Sequence, residues 1–349
     1  MKKTTKRVVA LLLAAAVIIA ALGCFWLPSA MQKKHEAAIV SRTLSNENAT
    51  PKAQQLYRYL CSVYGHGILS GQQESTWIDG PDYEVNYLLE TTGKLPAIRG
   101  FDFMGDDFDG VTERATAWAQ RGGIVTVCWH CSCRFDGAYE ECKEDALTAE
   151  QWEAVLTEGT AEQAAFLQAM DKAGNALLKL QDSGIPVLWR PFHEFDGGWF
   201  WWGKGGSDNF RKLWRLMYRH FTEDLGLNNL IWVLGYSHNG TDYHNKPSEW
   251  YPGEEFVDIS GADSYEVAQN GAEKRLFTPI NKATGKETPL ALHETGLIPN
   301  EEELQEVPWL YFLTWHTEYL TDENSEEALN ALYNSDYVIT LDELPALQP

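Results

Sequence analysis

From residue 68 onward, short apolar runs rich in β-branched and aromatic residues alternate with longer stretches of helical periodicity. Eight runs have strand character: 68–72, 97–103, 124–130, 187–194, 230–236, 257–265, 290–294 and 311–315. Between them, 83–91, 112–120, 161–181 and 209–222 carry apolar residues at helical spacing. Strands followed by helices imply parallel pairing, and eight such units close into a single (β/α)8 TIM barrel. Each run is apolar at its start and ends in a group with chemistry: Gln72, Asp102, His130, Glu194, Tyr236, Asp263 with Tyr265, Glu294, and Trp315. Active sites of such barrels lie at the C-terminal ends of the strands, so these tips define one site. A doubly wound sheet is the alternative fold, but no Gly-rich phosphate turn follows the first strand.

The first thirty residues follow a different pattern. Lys2, Lys3, Lys6 and Arg7 precede an uncharged stretch from Val8 to Leu27, the layout of an export signal. Ala21-Leu22-Gly23-Cys24 resembles a lipoprotein site with Cys24 as lipid acceptor, although Ala21 stands where Leu is usual. The run is also long enough to remain as an uncleaved anchor. Every version places the rest of the chain outside the cytoplasm, at the cell surface or secreted. Residues 31–50 are polar and read as a flexible spacer, leaving 51–349 as one catalytic-sized domain.

Charge and composition narrow the partners. Twenty-eight Lys and Arg against 50 Asp and Glu give a net charge of -22, which repels phosphate backbones and argues against nucleic acid. Membrane contact is expected only through the N-terminal segment. Fourteen tryptophans need a place. Either the core is rich in aromatics, or flat rings line a cleft for sugars. Cys128, Cys131, Cys133 and Cys142 fall within 15 residues, which invites zinc. An exported setting instead favours a disulfide, with Cys133 to Cys142 the expected pair. Asp106, Asp107 and Asp109 read as a solvated surface, because the run lacks a calcium-loop pattern.

Two strand tips repeat a theme. The fourth ends Trp189-Arg190-Pro191-Phe192-His193-Glu194 and the seventh Ala291-Leu292-His293-Glu294-Thr295. In a regular strand the Glu and the adjacent His point to opposite sides. Strands four and seven lie across the barrel mouth, so Glu194 and Glu294 can face each other over a cleft. Paired carboxylates suit glycosidic cleavage, in which one protonates the leaving oxygen and the other attacks the anomeric carbon.

At these residues the chain resembles glycoside hydrolase family 26, mostly retaining endo-β-1,4-mannanases. The matching segments are 189–194, Gly198-Trp199-Phe200-Trp201-Trp202-Gly203 and Leu292-His293-Glu294-Thr295-Gly296. Weaker matches are Trp129-His130 and Phe312-Leu313-Thr314-Trp315. Phe195-Asp196 and the segment 131–142 fall outside the pattern. The resemblance implies Glu194 as general acid/base and Glu294 as nucleophile, with Tyr265 hydrogen-bonded to Glu294. His130 and His193 would position sugar and acid, Trp199 would stack on a neighbouring ring, and Trp315 would floor the cleaved sugar. Arg190 is expected beneath the site, orienting carboxylates. Trp201 and Trp202 cannot both face the cleft, and Tyr236 and Asp263 are candidate lining residues.

Two carboxylates and water suffice for this chemistry, so no cofactor and no metal is expected. The implied partner of this expected monomer is a β-mannan-type polysaccharide or oligosaccharide. The same machinery on mixed-linkage β-glucan or xylan, and a non-catalytic surface glycan-binding protein, remain open as alternatives.

Overall fold

The computed structural model describes residues 39, 41–135, 140–237, 246–265 and 272–347. The expected export segment and Cys24 lie outside them. Among the described residues no helix is long and apolar enough to cross a membrane.

Eight parallel strands close into a barrel in sequence order: β1 Gly71–Gln73, β2 Ile98–Asp102, β3 Ile124–Trp129, β4 Val187–Pro191, β5 Leu230–Tyr236, β6 Ile259–Ser264, β7 Leu290–Thr295 and β8 Phe312–Thr314. The ring closes where Gln72 of β1 registers with Thr314 of β8. Helices cross between successive strands, as the alternating pattern requires. The run at 68–72 divides in two. Ile68–Leu69 leaves the ring to pair in parallel with Val338–Ile339, so the C-terminal end of the chain is stitched to the start of β1.

Local sequence sets the helix starts. Thr50 accepts from Ala53 N ahead of Pro51 at the first turn of Pro51–Val63. Asp107 caps Phe108–Gln120 by accepting from Gly110 N, which begins that helix four residues before the apolar periodicity does. Asp107 also pairs with Arg114, Asp106 with Lys172 and Asp109 with Lys179, so the acidic run is a surface ion-pair cluster.

The spacer reading of 31–50 is corrected at its end. Ser45 N donates to Asp258 Oδ1 at 2.6 Å, Asn46 Nδ2 to Leu227 O at 3.3 Å, and Thr50 N to Asn228 O at 2.7 Å. These bonds reach the Asp258 carboxylate and the backbone just before β5 and β6, so the folded body starts at about Ser45 rather than Pro51.

Aromatic packing fills the layer between strands and helices. Ten of the 14 tryptophans are buried, from Trp118 to Trp309. Trp26 lies outside the described residues, and Trp77, Trp199 and Trp315 are the three that are not buried.

Candidate active site

The tip of β4 leaves strand geometry early. Pro191 lacks an N–H and ends the ladder, and Phe192 (φ 49°) and Glu194 (φ 53°) both take left-handed backbone. Non-glycine residues there carry steric strain, which the surrounding structure must hold in place. Glu194 N donates to Gly235 O on β5 at 2.7 Å, and Asp196 Oδ1 accepts from Ser237 N at 2.7 Å, so the turn is fastened to the next strand. Phe192 turns into the core against Trp201 and Trp202. His193 and Glu194 therefore both reach the site, against the opposite-face expectation for a regular strand.

The β7 tip delivers Glu294. Its Oε1 lies 2.6 Å from Arg190 Nη2, and its Oε2 accepts from Tyr265 OH at 2.8 Å. His193 Nε2 is 3.6 Å from the same Oε1. Register shifts at Ala262/Asp263 and between Leu292 and Thr295 break the alternation here too. As a result His293 also faces inward, with Nδ1 2.5 Å from Asp263 Oδ1 and 3.5 Å from Arg190 Nη1. Gly235 makes this possible. A Cβ there would sit 2.5 Å from His293 Nε2 and 3.2 Å from His193 Cβ.

Three carboxyl groups converge, with one oxygen each of Glu194, Asp263 and Glu294 within 4.8 Å of one another. Burial, then the neighbouring charges of Asp263 and Glu294, push the Glu194 carboxyl well above the usual range. Trp199 Nε1–H donates to Glu194 Oε2 at 2.8 Å and partly offsets that rise. Asp263 is pushed up as well, by burial and by Glu294. Burial and the Arg190 charge hold His293 well below the ordinary imidazole value. Asp263 and His293 thus face each other as a buried pair, and the environment of Glu194 favours its protonated form, while Glu294 faces Arg190 and Tyr265.

A second chain of contacts supports Glu294 from the side. Asp102 Oδ2 is 2.5 Å from His130 Nδ1, and His130 Nε2 is 3.1 Å from His193 Nε2. Burial works to raise Asp102, but His130 and Arg190 outweigh it and hold the carboxyl below its usual range. Burial and Arg190 keep His193 neutral. His130 thereby links Asp102 through Nδ1 to His193 through Nε2 in one hydrogen-bonded chain, with the donor between the two Nε2 atoms set by the tautomers.

The aromatic expectations divide. Trp199 and Trp315 are both half-buried at the mouth. Trp315, His130 and Asp102 line a recess of about 330 Å³. Trp201 and Trp202 are both fully buried, donating to Cys131 O and His193 O, and neither faces the cleft. Tyr236 is corrected as a lining residue. It is buried against Phe195 and donates to Pro247 O at 2.8 Å. The Cys133–Cys142 disulfide is also corrected, since Cys133 is a free thiol directed at Asp145 Oδ2, 3.8 Å away. Among the described residues no three of the clustered cysteines form a ligand set. A larger cavity of about 550 Å³ lies at the opposite end of the barrel, where Gly122, Gly184 and Leu344 line it far from these groups.

Sequence reasoning missed His293, because strand alternation turned it away, and did not assign Asp102 a role. The signal for Asp102 was present in its position at a strand tip beside His130. None existed for His293, because a bulge leaves no mark in these residues.

A closed parallel barrel that crowds three carboxyl groups between half-exposed indoles at its C-terminal mouth is the architecture of a glycoside hydrolase. The sequence model of glycosyl hydrolase family 26 matches residues 45–343, and the chain belongs to that family. A mannan endo-1,4-beta-mannosidase of Thermothelomyces thermophilus is 35% identical over 341 residues, covering 92% of this chain and 66% of that protein. The crystal structure of a ruminal family 26 endo-beta-1,4-mannanase superposes with TM-score 0.78 at 33% identity, covering 88% of this chain and 71% of the other. A beta-mannanase from a symbiotic protist of the termite Reticulitermes speratus, complexed with gluco-manno-oligosaccharide, has TM-score 0.78 at 30% identity, covering 87% and 98%. The chain spans about half to two thirds of the length of the first curated relatives it matches.

Proposed function

We propose that this protein cleaves internal β-1,4-mannosidic linkages in mannan, glucomannan or galactomannan, with retention of configuration. Glu194 protonates the glycosidic oxygen while Glu294 attacks the anomeric carbon, forming a glycosyl-enzyme. Glu194, now a carboxylate, takes a proton from water as that water displaces Glu294. His193 positions Glu294, and Trp199 fixes the acid by its indole N–H. His130 and Trp315 border the sugar that bears the attacked carbon.

The observation that carries this reading is the carboxyl spacing. Oxygens of Glu194 and Glu294 lie within 4.8 Å. Retaining enzymes hold their carboxyls about 5–5.5 Å apart, and inverting ones need about 6.5–9.5 Å to admit water. The unlike surroundings of the two groups support the division of labour. The activities for which the relatives are named support mannan as substrate.

Reducing-sugar release from mannan, glucomannan, mixed-linkage glucan and xylan tests the substrate. Release confined to the last two overturns mannan, and release from none makes the protein a glycan binder. NMR of the first product anomer tests retention. We also propose that residues 1–30 direct export of a monomeric enzyme. Palmitate labelling that disappears in Cys24→Ala would identify lipid anchoring, and an unlabelled wild type would exclude it.

A further inference from the structure

A buried cysteine ordinarily behaves as a small hydrophobe. Cys128 is buried but keeps different company. Along β3, Val127 and Trp129 join the apolar core, whereas Cys128 and His130 turn the other way, towards Asp102 on β2. Cys128 and Asp102 are also register partners across the two strands. One Asp102 carboxylate oxygen, Cys128 Sγ and one His130 ring nitrogen lie within 4.8 Å of one another.

A thiolate, an imidazole and a carboxylate are the donors of tetrahedral zinc sites. Such a site holds its ligand atoms roughly 3.3–3.8 Å apart, so these three need only small shifts to meet one ion. Access exists from above, because Asp102 and His130 line the recess of about 330 Å³. Arg190, in register with Cys128 on β4, opposes a cation there, but its guanidinium is paired with Glu294 at 2.6 Å. The balance suits a reversible ligand rather than a permanent structural ion.

The position has a consequence for the reaction. His130 Nδ1 is held by Asp102 Oδ2 at 2.5 Å, and His130 Nε2 is 3.1 Å from His193 Nε2, which in turn is 3.6 Å from Glu294 Oε1. An ion bound to Nδ1 replaces the Asp102 hydrogen bond and pulls on the imidazole that steadies His193.

We propose that Asp102, Cys128 and His130 form an inhibitory site for a borderline-soft divalent cation, with zinc the best match. The thiol proton passes to solvent as the ion binds, and the fourth coordination position opens to the recess. The inhibitory part rests on the reading of Glu294 as nucleophile, whereas the binding part does not.

The test adds zinc chloride, with cobalt(II) as a spectroscopic probe, to wild type, Cys128→Ser and Cys128→Ala. Serine preserves polarity and alanine apolarity, and melting curves identify the folded variants. Micromolar zinc should lower wild-type kcat/KM at least about tenfold on the β-glycan it hydrolyses, EDTA should restore it, and magnesium should do nothing. Both variants should keep wild-type activity without metal and need at least about tenfold more zinc for half inhibition. Cobalt(II) should give wild type a near-ultraviolet thiolate-to-metal band that neither variant shows. Equal inhibition of all three proteins, or a band of unchanged intensity in the variants, overturns the site. A Cys128-dependent band with undiminished turnover overturns its inhibitory role. If wild type hydrolyses no β-glycan, the proposed activity fails and the cobalt band alone decides the site.

Discussion

Glu194 and Glu294 have the same side chain, and their neighbours drive them apart. Glu294 faces a guanidinium and a phenol, whereas Glu194 sits among carboxyls with one indole N–H to soften its rise. If Glu294 is the attacking group, as proposed, removing it should be fatal kinetically. Glu294→Ala is expected to lose at least about a thousandfold in kcat on mannan while still binding manno-oligosaccharide by calorimetry. Activity within tenfold of wild type would sink the assignment. Glu194→Ala should lose roughly 100- to 10,000-fold on mannan but little in the first step on an activated aryl glycoside. Equal losses on both would mean Glu194 is not the acid. The proton on Glu194 also has a stability consequence. A carboxyl whose folded-state pKa is raised contributes fully below its unfolded value, about 4.3, and that contribution is lost as pH climbs through the folded value. Glu194→Gln should thus gain thermal stability relative to wild type at about pH 8 and not at about pH 4. Melting curves at the two pH values check the sign, and a constant difference would show that the folded state does not raise the Glu194 carboxyl above its unfolded value.

Between residues and the whole barrel, the strands were legible and their tips were not. Alternation of apolar runs with helical periodicity located all eight barrel strands and four of the longer helices, missing Pro51–Val63 and Ala272–Thr284, because burial on both faces of a strand demands continuous apolar sequence. The tips departed where backbone geometry overrides alternation. β4 ends at Pro191, three residues before the run ends, and the left-handed turn swings His193 and Glu194 to one side. On β7 a register shift does the same for His293 and Glu294. Neither event changes hydrophobic pattern, so neither can be read from it. Residues 45–50 were misread for the opposite reason, because the segment is held to the barrel foot by the backbone N–H groups of Ser45 and Thr50 and by the Asn46 amide, which apolar patterning does not register. The space these departures require is set by Gly235, where a Cβ would press 2.5 Å from His293. Gly235→Ala should cost roughly 1–3 kcal/mol by overpacking. It should also lower kcat on mannan well beyond the unfolded fraction, by displacing His193 or His293. Chemical denaturation and kinetics on the folded fraction separate the two effects, and full activity with normal stability would show that the histidines yield without consequence.

At the scale of the molecule, composition posed a choice that the fold answers by position. Fourteen tryptophans could mean an aromatic core or a sugar cleft. Among the described residues ten are buried, and the three exposed or half-buried ones, Trp77, Trp199 and Trp315, follow barrel strands at the C-terminal mouth. The same side chain should therefore answer to two different measurements. Trp214 is fully buried, packs against Trp232 and Phe210, and donates to Phe256 O. Trp214→Ala opens a cavity and should cost roughly 3–5 kcal/mol of stability while the folded fraction turns over normally. Trp315 instead presents its ring to the recess beside His130. If its contact tightens as the sugar flattens towards an oxocarbenium-like transition state, Trp315→Ala should lower kcat/KM by tenfold to a hundredfold, more than it raises KM. Its melting temperature should stay close to wild type. A large drop in melting temperature with intact kinetics would make Trp315 a plug in the barrel top rather than a sugar platform. Kinetic loss from Trp214→Ala in the folded fraction would mean that the aromatic layer and the mouth are coupled, and that burial does not separate the two jobs.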